Sequence, residues 1–312
     1  MPVAPLFASR LQFITDESLP IAERFAKFQE QIHEYVSPAV ITRDVSFRVN
    51  EGQSDERQIR ARWYRSPKAV GPRPVLIWFH GGGYEEGDFN MIESHVFAME
   101  LADRGLINLF NVDYSKCKNG VQFPTPLEDG YAALKYVAAN IGAVESDPKH
   151  IYVGGISAGG ALAAVVATMD RDAGTHLLAG AMLNCPVLHR VIPEFSDELV
   201  ADLTQWPFYL DNRSIEPLLE RIGGDVAGAP DWWWAGDISD FAGLPPMQII
   251  NCQYDGLRAS GEKYAADLAA AGVEVEVSYQ PGVPHAHINR IPDDCTEVVE
   301  TMESMLSWIN SR

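Results

Sequence analysis

Cysteine is scarce in this chain. Four occur in 312 residues, Cys117, Cys185, Cys252 and Cys295, widely scattered and without a CxxC pair. That spacing argues against a zinc site and against a disulfide framework, and no metal or cofactor is expected. Cys185 and Cys252 each end an apolar, strand-like run, so buried thiols are the expectation for both. Positive charge is also short: 24 Lys and Arg stand against 43 Asp and Glu, a formal net charge of −19. A nucleic-acid binder needs a basic footprint to displace counterions from phosphate, and an anionic lipid surface would repel this chain. The acidity reads as a solvated surface. No run approaches the roughly 18 apolar residues of a spanning helix. The N-terminal segment lacks the basic start and long apolar stretch of a secretory signal, so a cytoplasmic location is expected. Internal repeats and low-complexity linkers are missing as well.

What is present is an alternation. Residues 17–36 carry apolar positions at helical spacing (Leu19, Ile21, Phe25, Phe28, Ile32, Tyr35), which predicts one N-terminal helix. Val45–Val49 and Ile59–Tyr64 alternate with period two and read as antiparallel edge strands. From residue 74 the pattern changes. Val75-Leu76-Ile77-Trp78-Phe79 is a continuous apolar run, as expected for a strand buried on both faces. Similar runs occur at 106–112, 151–154, 179–185, 247–252 and 273–279, and helical patterns occupy 92–103, 127–141, 158–169, 260–271 and 295–310. Strands alternating with helices imply an α/β protein, with a mainly parallel central sheet flanked by helices. Residues 190–243 break the alternation; they are rich in Asp, Pro and Trp and lie between two strand candidates. The expected organisation is a core of 41–189 and 244–312, with a cap made of the N-terminal helix region 1–40 and the insertion 190–243.

Two local patterns carry chemistry. Ile151-Tyr152-Val153-Gly154-Gly155-Ile156-Ser157-Ala158-Gly159-Gly160 reads as strand, tight turn and Ala-rich helix, with Gly155-x-Ser157-x-Gly159 at the turn. This is a nucleophile elbow: the turn strains the Ser backbone, and neighbours with side chains would collide with the adjoining strand and helix. Its hydroxyl is then presented above a helix N-terminus, whose partial positive charge favours a developing anion. The second pattern, His80-Gly81-Gly82-Gly83-Tyr84, follows the first buried strand. Glycines leave backbone N–H groups unshielded, and those of Gly82, Gly83 and Ala158 are expected to converge as an oxyanion hole. A phosphate cradle fits less well, because the GxGxxG register is absent and no Walker Lys-Ser/Thr follows. His80 itself reads as a loop brace.

Together these segments resemble the hormone-sensitive-lipase-like branch of the α/β-hydrolases, the bacterial HGGG esterases. The likeness extends to Gly87-Asp88, Val112-Asp113-Tyr114, Phe123-Pro124-x-Pro126-Leu127-Glu128-Asp129, Asp147-Pro148, Asp255-x-Leu257-Arg258 and His285, in the family's order. It departs at Ile156, where Asp or Thr is common, at Ser115-Lys116-Cys117, and at Glu85-Glu86. The resemblance implies the α/β-hydrolase fold, carboxylester hydrolysis, a Ser–Asp–His triad, and a cap built from N-terminal helices plus an insertion before the Asp strand.

A serine hydroxyl is a poor nucleophile until a base takes its proton, and the base needs an orienting acid. In this fold the chain order is Ser, then Asp or Glu, then His. Asp255 follows the apolar strand 247–252 and His285 follows the next strand, so both belong in loops at the C-terminal edge of the sheet. His287 is the rival base; Asp231, Asp237 and Asp240 fall in the insertion and read as surface charge. The expected enzyme is therefore a serine esterase with Ser157, His285 and Asp255 as its triad. Its partner is a small-molecule ester, a short-acyl ester of a small neutral alcohol or an acetylated sugar. Tyr84, Glu85, Trp206 and Trp233 are the candidate substrate contacts, Glu85 as a charge that repels anionic acyl groups and the tryptophans as a stacking wall, unless the insertion's aromatics simply pack the cap core. An amidase, peptidase or lyase on the same fold, and a non-catalytic ligand-binding relative, are the alternatives. A homodimer is compatible with the sequence.

Overall fold

The computed structural model describes residues 2–223 and 229–312. The expected cap pieces 190–243 and 1–40 thus include residues 224–228 and Met1, which lie outside the described residues. Eight strands form one sheet: β1 (Ile41–Val49), β2 (Arg57–Arg65), β3 (Arg73–Phe79), β4 (Asn108–Asp113), β5 (Ser146–Ile156), β6 (Gly180–Asn184), β7 (Met247–Tyr254) and β8 (Val275–Pro284), in the order β1-β2-β4-β3-β5-β6-β7-β8. From β4 to β8 all neighbours pair in parallel, while β2 runs against β1 on one side and β4 on the other. The expectation of two edge strands is corrected here. β1 is an edge, but β2 is interior, and Ala61 and Tyr64 are fully buried. Alternation marks a strand with one covered face, and says nothing about whether its two backbone edges are paired.

The central strands are mainly apolar because both faces are covered, and the polar residues they carry, such as Asn108, Asn111, Gln248 and Asn251, are buried too. One layer contains α4 (Thr125–Ala139), α5 (Ala158–Asp172) and α8 (Arg258–Ala270). The opposite layer contains α1 (Pro5–Ile14), α3 (His95–Gly105) and α9 (Thr296–Asn310). All four cysteines are free and buried. No helix among the described residues is long and apolar enough to cross a membrane.

The N-terminal region differs from the single helix expected over 17–36. Two helices occur, α1 and α2 (Ile21–Gln29). Pro5 opens the first, where its missing N–H costs nothing, and Pro20 stands in extended geometry just before the second. Past Gln29 the chain is extended, and the N–H groups of Ile32 and His33 bond to the Asp294 carboxylate instead of to a helical carbonyl. Phe25 and Phe28 of α2 pack edge-on against Phe208 and Trp206 of the insertion, with ring centroids 4.8 and 5.9 Å apart. The insertion supplies α6 (Asp197–Leu203), capped by Ser196 Oγ accepting from Leu199 N, and α7 (Asn212–Gly223). Arg258 on α8 holds α6 through Glu198 and Asp202, at 2.8 and 2.9 Å.

Candidate active site

Ser157 closes β5 and opens α5 with φ 55° and ψ −120°, a conformation that side-chain-bearing residues rarely adopt. Its N–H donates to Asn184 O of the neighbouring strand at 2.9 Å, which helps hold the strained turn. The flanking glycines are there for space. A Cβ on Gly155 would lie 2.3 Å from Gly159 O, and one on Gly159 would lie 2.1 Å from Phe79 O. The turn therefore closes only with hydrogen at both positions.

Two further loops meet this turn. Asp255 follows β7 and is fully buried; its Oδ1 accepts from Leu257 N at 3.0 Å. His285 follows β8, with Nδ1 2.6 Å from Asp255 Oδ2 and Nε2 3.0 Å from Ser157 Oγ. The tautomer with hydrogen on Nδ1 gives one unbroken line from carboxylate through imidazole to hydroxyl. Burial works against the imidazolium, but the Asp255 carboxylate and then Cys185 outweigh it, holding the ring's basicity well above its usual value. His287 points elsewhere: Nδ1 meets Cys252 Sγ at 3.3 Å and Nε2 meets Thr301 Oγ1 at 2.7 Å. Asp231 and Asp237 pair with Arg190.

The glycine loop after β3 faces Ser157 across a cavity of about 380 Å³. Gly82 and Gly83 have φ of 104° and 62°. Among the described residues, the backbone N–H groups of Gly82, Gly83 and Ala158 have no hydrogen-bond acceptor. His80 braces the loop: it stacks on Tyr114 at 4.3 Å, and burial pushes its imidazole down to about 3, so it is neutral.

The cavity wall differs from the one expected. It contains Tyr84, but neither Trp206 nor Trp233. Trp206 stacks on Tyr254, and Trp233 packs edge-on against Phe123 and Trp232. Both tryptophans pack where the insertion meets the core, against Tyr254 of β7 and Phe123, where they bury more area than a wet wall would allow. The apolar lining is aliphatic instead, with Leu210, Ile215, Leu218 and Leu219 of the insertion opposite Val187 and Leu257. Glu85 does not line the cavity and is neutralised by Arg221, so the expected repulsion of anionic acyl groups is also corrected. Sequence reading missed Glu93, which lines the cavity and is 3% exposed. It opens a predicted helix, where an acid ordinarily complements the helix dipole, so no signal marked it.

One group of ligand-type side chains comes together among the described residues: Cys185, Asp255 and His285, with donor atoms within 4.8 Å of one another. Two of its three members already belong to the Ser157–His285–Asp255 line. A larger groove of about 600 Å³, walled by Phe47, Tyr131, Lys135 and Tyr136 among others, carries no serine, cysteine or histidine.

Comparison with known proteins concerns the family and the fold. The sequence pattern of a family described as alpha/beta hydrolase fold matches residues 76–289. The carboxylesterase NlhH of Mycobacterium tuberculosis is 32% identical over 246 residues, covering 74% of this chain and 72% of the relative. The versiconal hemiacetal acetate esterase of Dothistroma septosporum is 29% identical over 85% of this chain and 81% of its own. Among solved structures, the hyperthermophilic esterase of the archaeon Pyrobaculum calidifontis superimposes with a TM-score of 0.80 at 28% identity, covering 100% of this chain and 99% of that one. The thermostable carboxylesterase EstE1 from a metagenomic library gives 0.77 at 30% identity, over 89% and 90% of the two chains.

Proposed function

Because the chain belongs to the α/β-hydrolase family, in its hormone-sensitive-lipase-like branch of carboxylic ester hydrolases, we propose that Ser157, His285 and Asp255 form its catalytic triad. Ser157 Oγ attacks the ester carbonyl while His285 Nε2 takes its proton. The buried Asp255 carboxylate stabilises the imidazolium and keeps the hydrogen of Nδ1 directed at itself. The negative oxygen of the tetrahedral intermediate is held by the N–H groups of Gly82, Gly83 and Ala158, each contributing about 3 kcal/mol of transition-state stabilisation. His285 then protonates the departing alcohol. Water, activated by the same base, attacks the acyl-enzyme and releases the acid.

The observation that carries this reading is the hydrogen-bonded line from Asp255 Oδ2 through His285 to Ser157 Oγ, at 2.6 and 3.0 Å. A cavity of about 380 Å³ with an aliphatic wall supports short-acyl esters of small, neutral, apolar alcohols. Acetylated sugars lose the aromatic wall on which they would have stacked. The acetate ester in the fungal relative's name agrees with a short acyl chain. The net charge of −19 supports an enzyme without a nucleic-acid partner.

A p-nitrophenyl ester series from about C2 to C16, run on the wild type and on Ser157→Ala, tests the reading. Turnover should be greatest at the short end, at about C2 to C6, and absent in the variant. Hydrolysis that survives Ser157→Ala refutes the nucleophile, and a maximum among the longest chains refutes the substrate class.

A further inference from the structure

Glu93 sits in the wall of the active site, and the triad mechanism leaves it without a role. Its Oε1 accepts from Gly81 N at 2.7 Å, and its main-chain oxygen accepts from the Trp78 indole at 3.0 Å. A Cβ on Gly81 would lie 2.8 Å from that Oε1 and 3.6 Å from Ser157 Cβ, so carboxyl, glycine loop and nucleophile form one contact layer. Burying a carboxyl group costs several kcal/mol unless its partners compensate. A residue with only a packing role here could have been apolar.

We propose that Glu93 is a positioning residue: its carboxyl group fixes the Gly81 amide so that the next two amides face the substrate oxygen. The inference deepens the triad reading and rests on it. The chain geometry supports it. Gly81 directly precedes Gly82 and Gly83, and the loop has positive φ at both, so its direction depends on what anchors its start. Glu86 N and Glu85 N donate to Gly82 O and close the far side of the turn. On the near side Tyr114 Oη donates to His80 O at 2.8 Å and His80 Nδ1 lies 2.6 Å from Gly81 O, while Glu93 takes the Gly81 N–H.

Burial pushes the Glu93 carboxyl up to about 7, with the Gly81 amide pulling it back. In either protonation state an oxygen remains to accept from Gly81 N.

Glu93→Ala and Glu93→Gln, measured for kcat and KM, test it. Alanine removes the anchor, and kcat should fall by roughly ten- to a hundredfold with a smaller change in KM. The glutamine carboxamide can still accept from Gly81 N, so Glu93→Gln should recover roughly tenfold of that loss. A residue that only fills space would move kcat and KM without this rescue. Wild-type kcat in Glu93→Ala, or a glutamine variant no better than alanine, overturns the inference. Should the alanine variant fail to fold by circular dichroism, Glu93→Asp takes its place, since its shorter side chain withdraws the acceptor. Loss of turnover in Ser157→Ala together with wild-type behaviour of the Glu93 variants would remove this inference alone.

Discussion

Arg221 on α7 and Glu85 beyond the glycine triplet form a bidentate ion pair, Nε to Oε1 at 2.9 Å and Nη2 to Oε2 at 2.8 Å. The pair ties the insertion to the loop that carries the proposed oxyanion donors. Both groups are partly exposed, so the bond is worth about 1 kcal/mol at most. Its consequence lies in where α7 sits, because Ile215, Leu218 and Leu219 of that helix line the cavity.

Arg221→Ala is expected to lower Tm by less than about 3 °C, while KM for p-nitrophenyl acetate rises roughly three- to tenfold. Salt screens partly exposed pairs, so high salt should raise the wild-type KM in the same direction and leave the variant unaffected. Steady-state kinetics at low and high NaCl checks this; equal KM values in all four conditions would dismiss the clamp.

The strain at Ser157 predicts a separation of stability from activity. Ser157→Ala and Ser157→Gly both lose the hydroxyl, but only alanine keeps a Cβ at φ 55°. Glycine relieves that conformation at some cost in unfolded-chain entropy, and should leave its variant more stable by about 1 kcal/mol, a few degrees in Tm. Calorimetry on the two inactive variants decides it, and an alanine variant that melts higher would mean that the turn stores no strain.

The pH profile follows from His285. Its basicity is raised above the ordinary value of 6.5, and only the neutral ring accepts the proton of Ser157. Activity must therefore rise with pH through that raised value, and the acid limb of kcat/KM should be centred above pH 6.5. Asp255→Asn removes the principal source of the increase. It should move the limb to lower pH and cut kcat about 10³- to 10⁴-fold by presenting the wrong tautomer. A limb at the same pH in both proteins would separate the titrating base from Asp255.

Two buried histidines predict the acid stability. Burial pushes His80 and His287 each down to about 3, far below the unfolded value near 6.5. Protons then bind the unfolded chain preferentially. The stability from this source is complete above about pH 6.5 and lost as pH falls toward 3, at about 1.4 kcal/mol per unit for each ring. Melting temperatures should drop between pH 7.5 and 5, while most carboxylates remain ionised, and His287→Gln should flatten the slope. A wild-type Tm that is constant over this range would contradict the assignment.

Much of the core was readable in advance because its signals are local. An unbroken apolar run as short as Val75–Phe79, with β-branched and aromatic residues, fits a strand covered on both faces, and β3 is one, with those five residues essentially unexposed. The elbow was readable for the same kind of reason: Gly155 and Gly159 flank Ser157, and the space each would need is denied by neighbours that the turn itself brings close. The N-terminal stretch misled because apolar spacing over 17–36 ignores Pro20 and ignores the Asp294 carboxylate, some 260 positions away, that takes up the amides of Ile32 and His33. The tryptophans could be read either way because an aromatic cluster has the same composition whether it faces a ligand or packs an interior.

By itself, then, the sequence determined the order of strands and helices along the chain, the strained turn at Ser157, and the flexible glycine triplet, since each depends on residues within a few bonds of one another. Tertiary structure alone decided that β2 is enclosed, that aliphatic residues of α7 rather than Trp206 and Trp233 line the cavity, that Arg221 neutralises Glu85, and that Glu93 reaches Gly81. Those outcomes depend on which surfaces of distant segments pack together. Packing is settled by the total area and polarity buried across the whole chain, which no local stretch records.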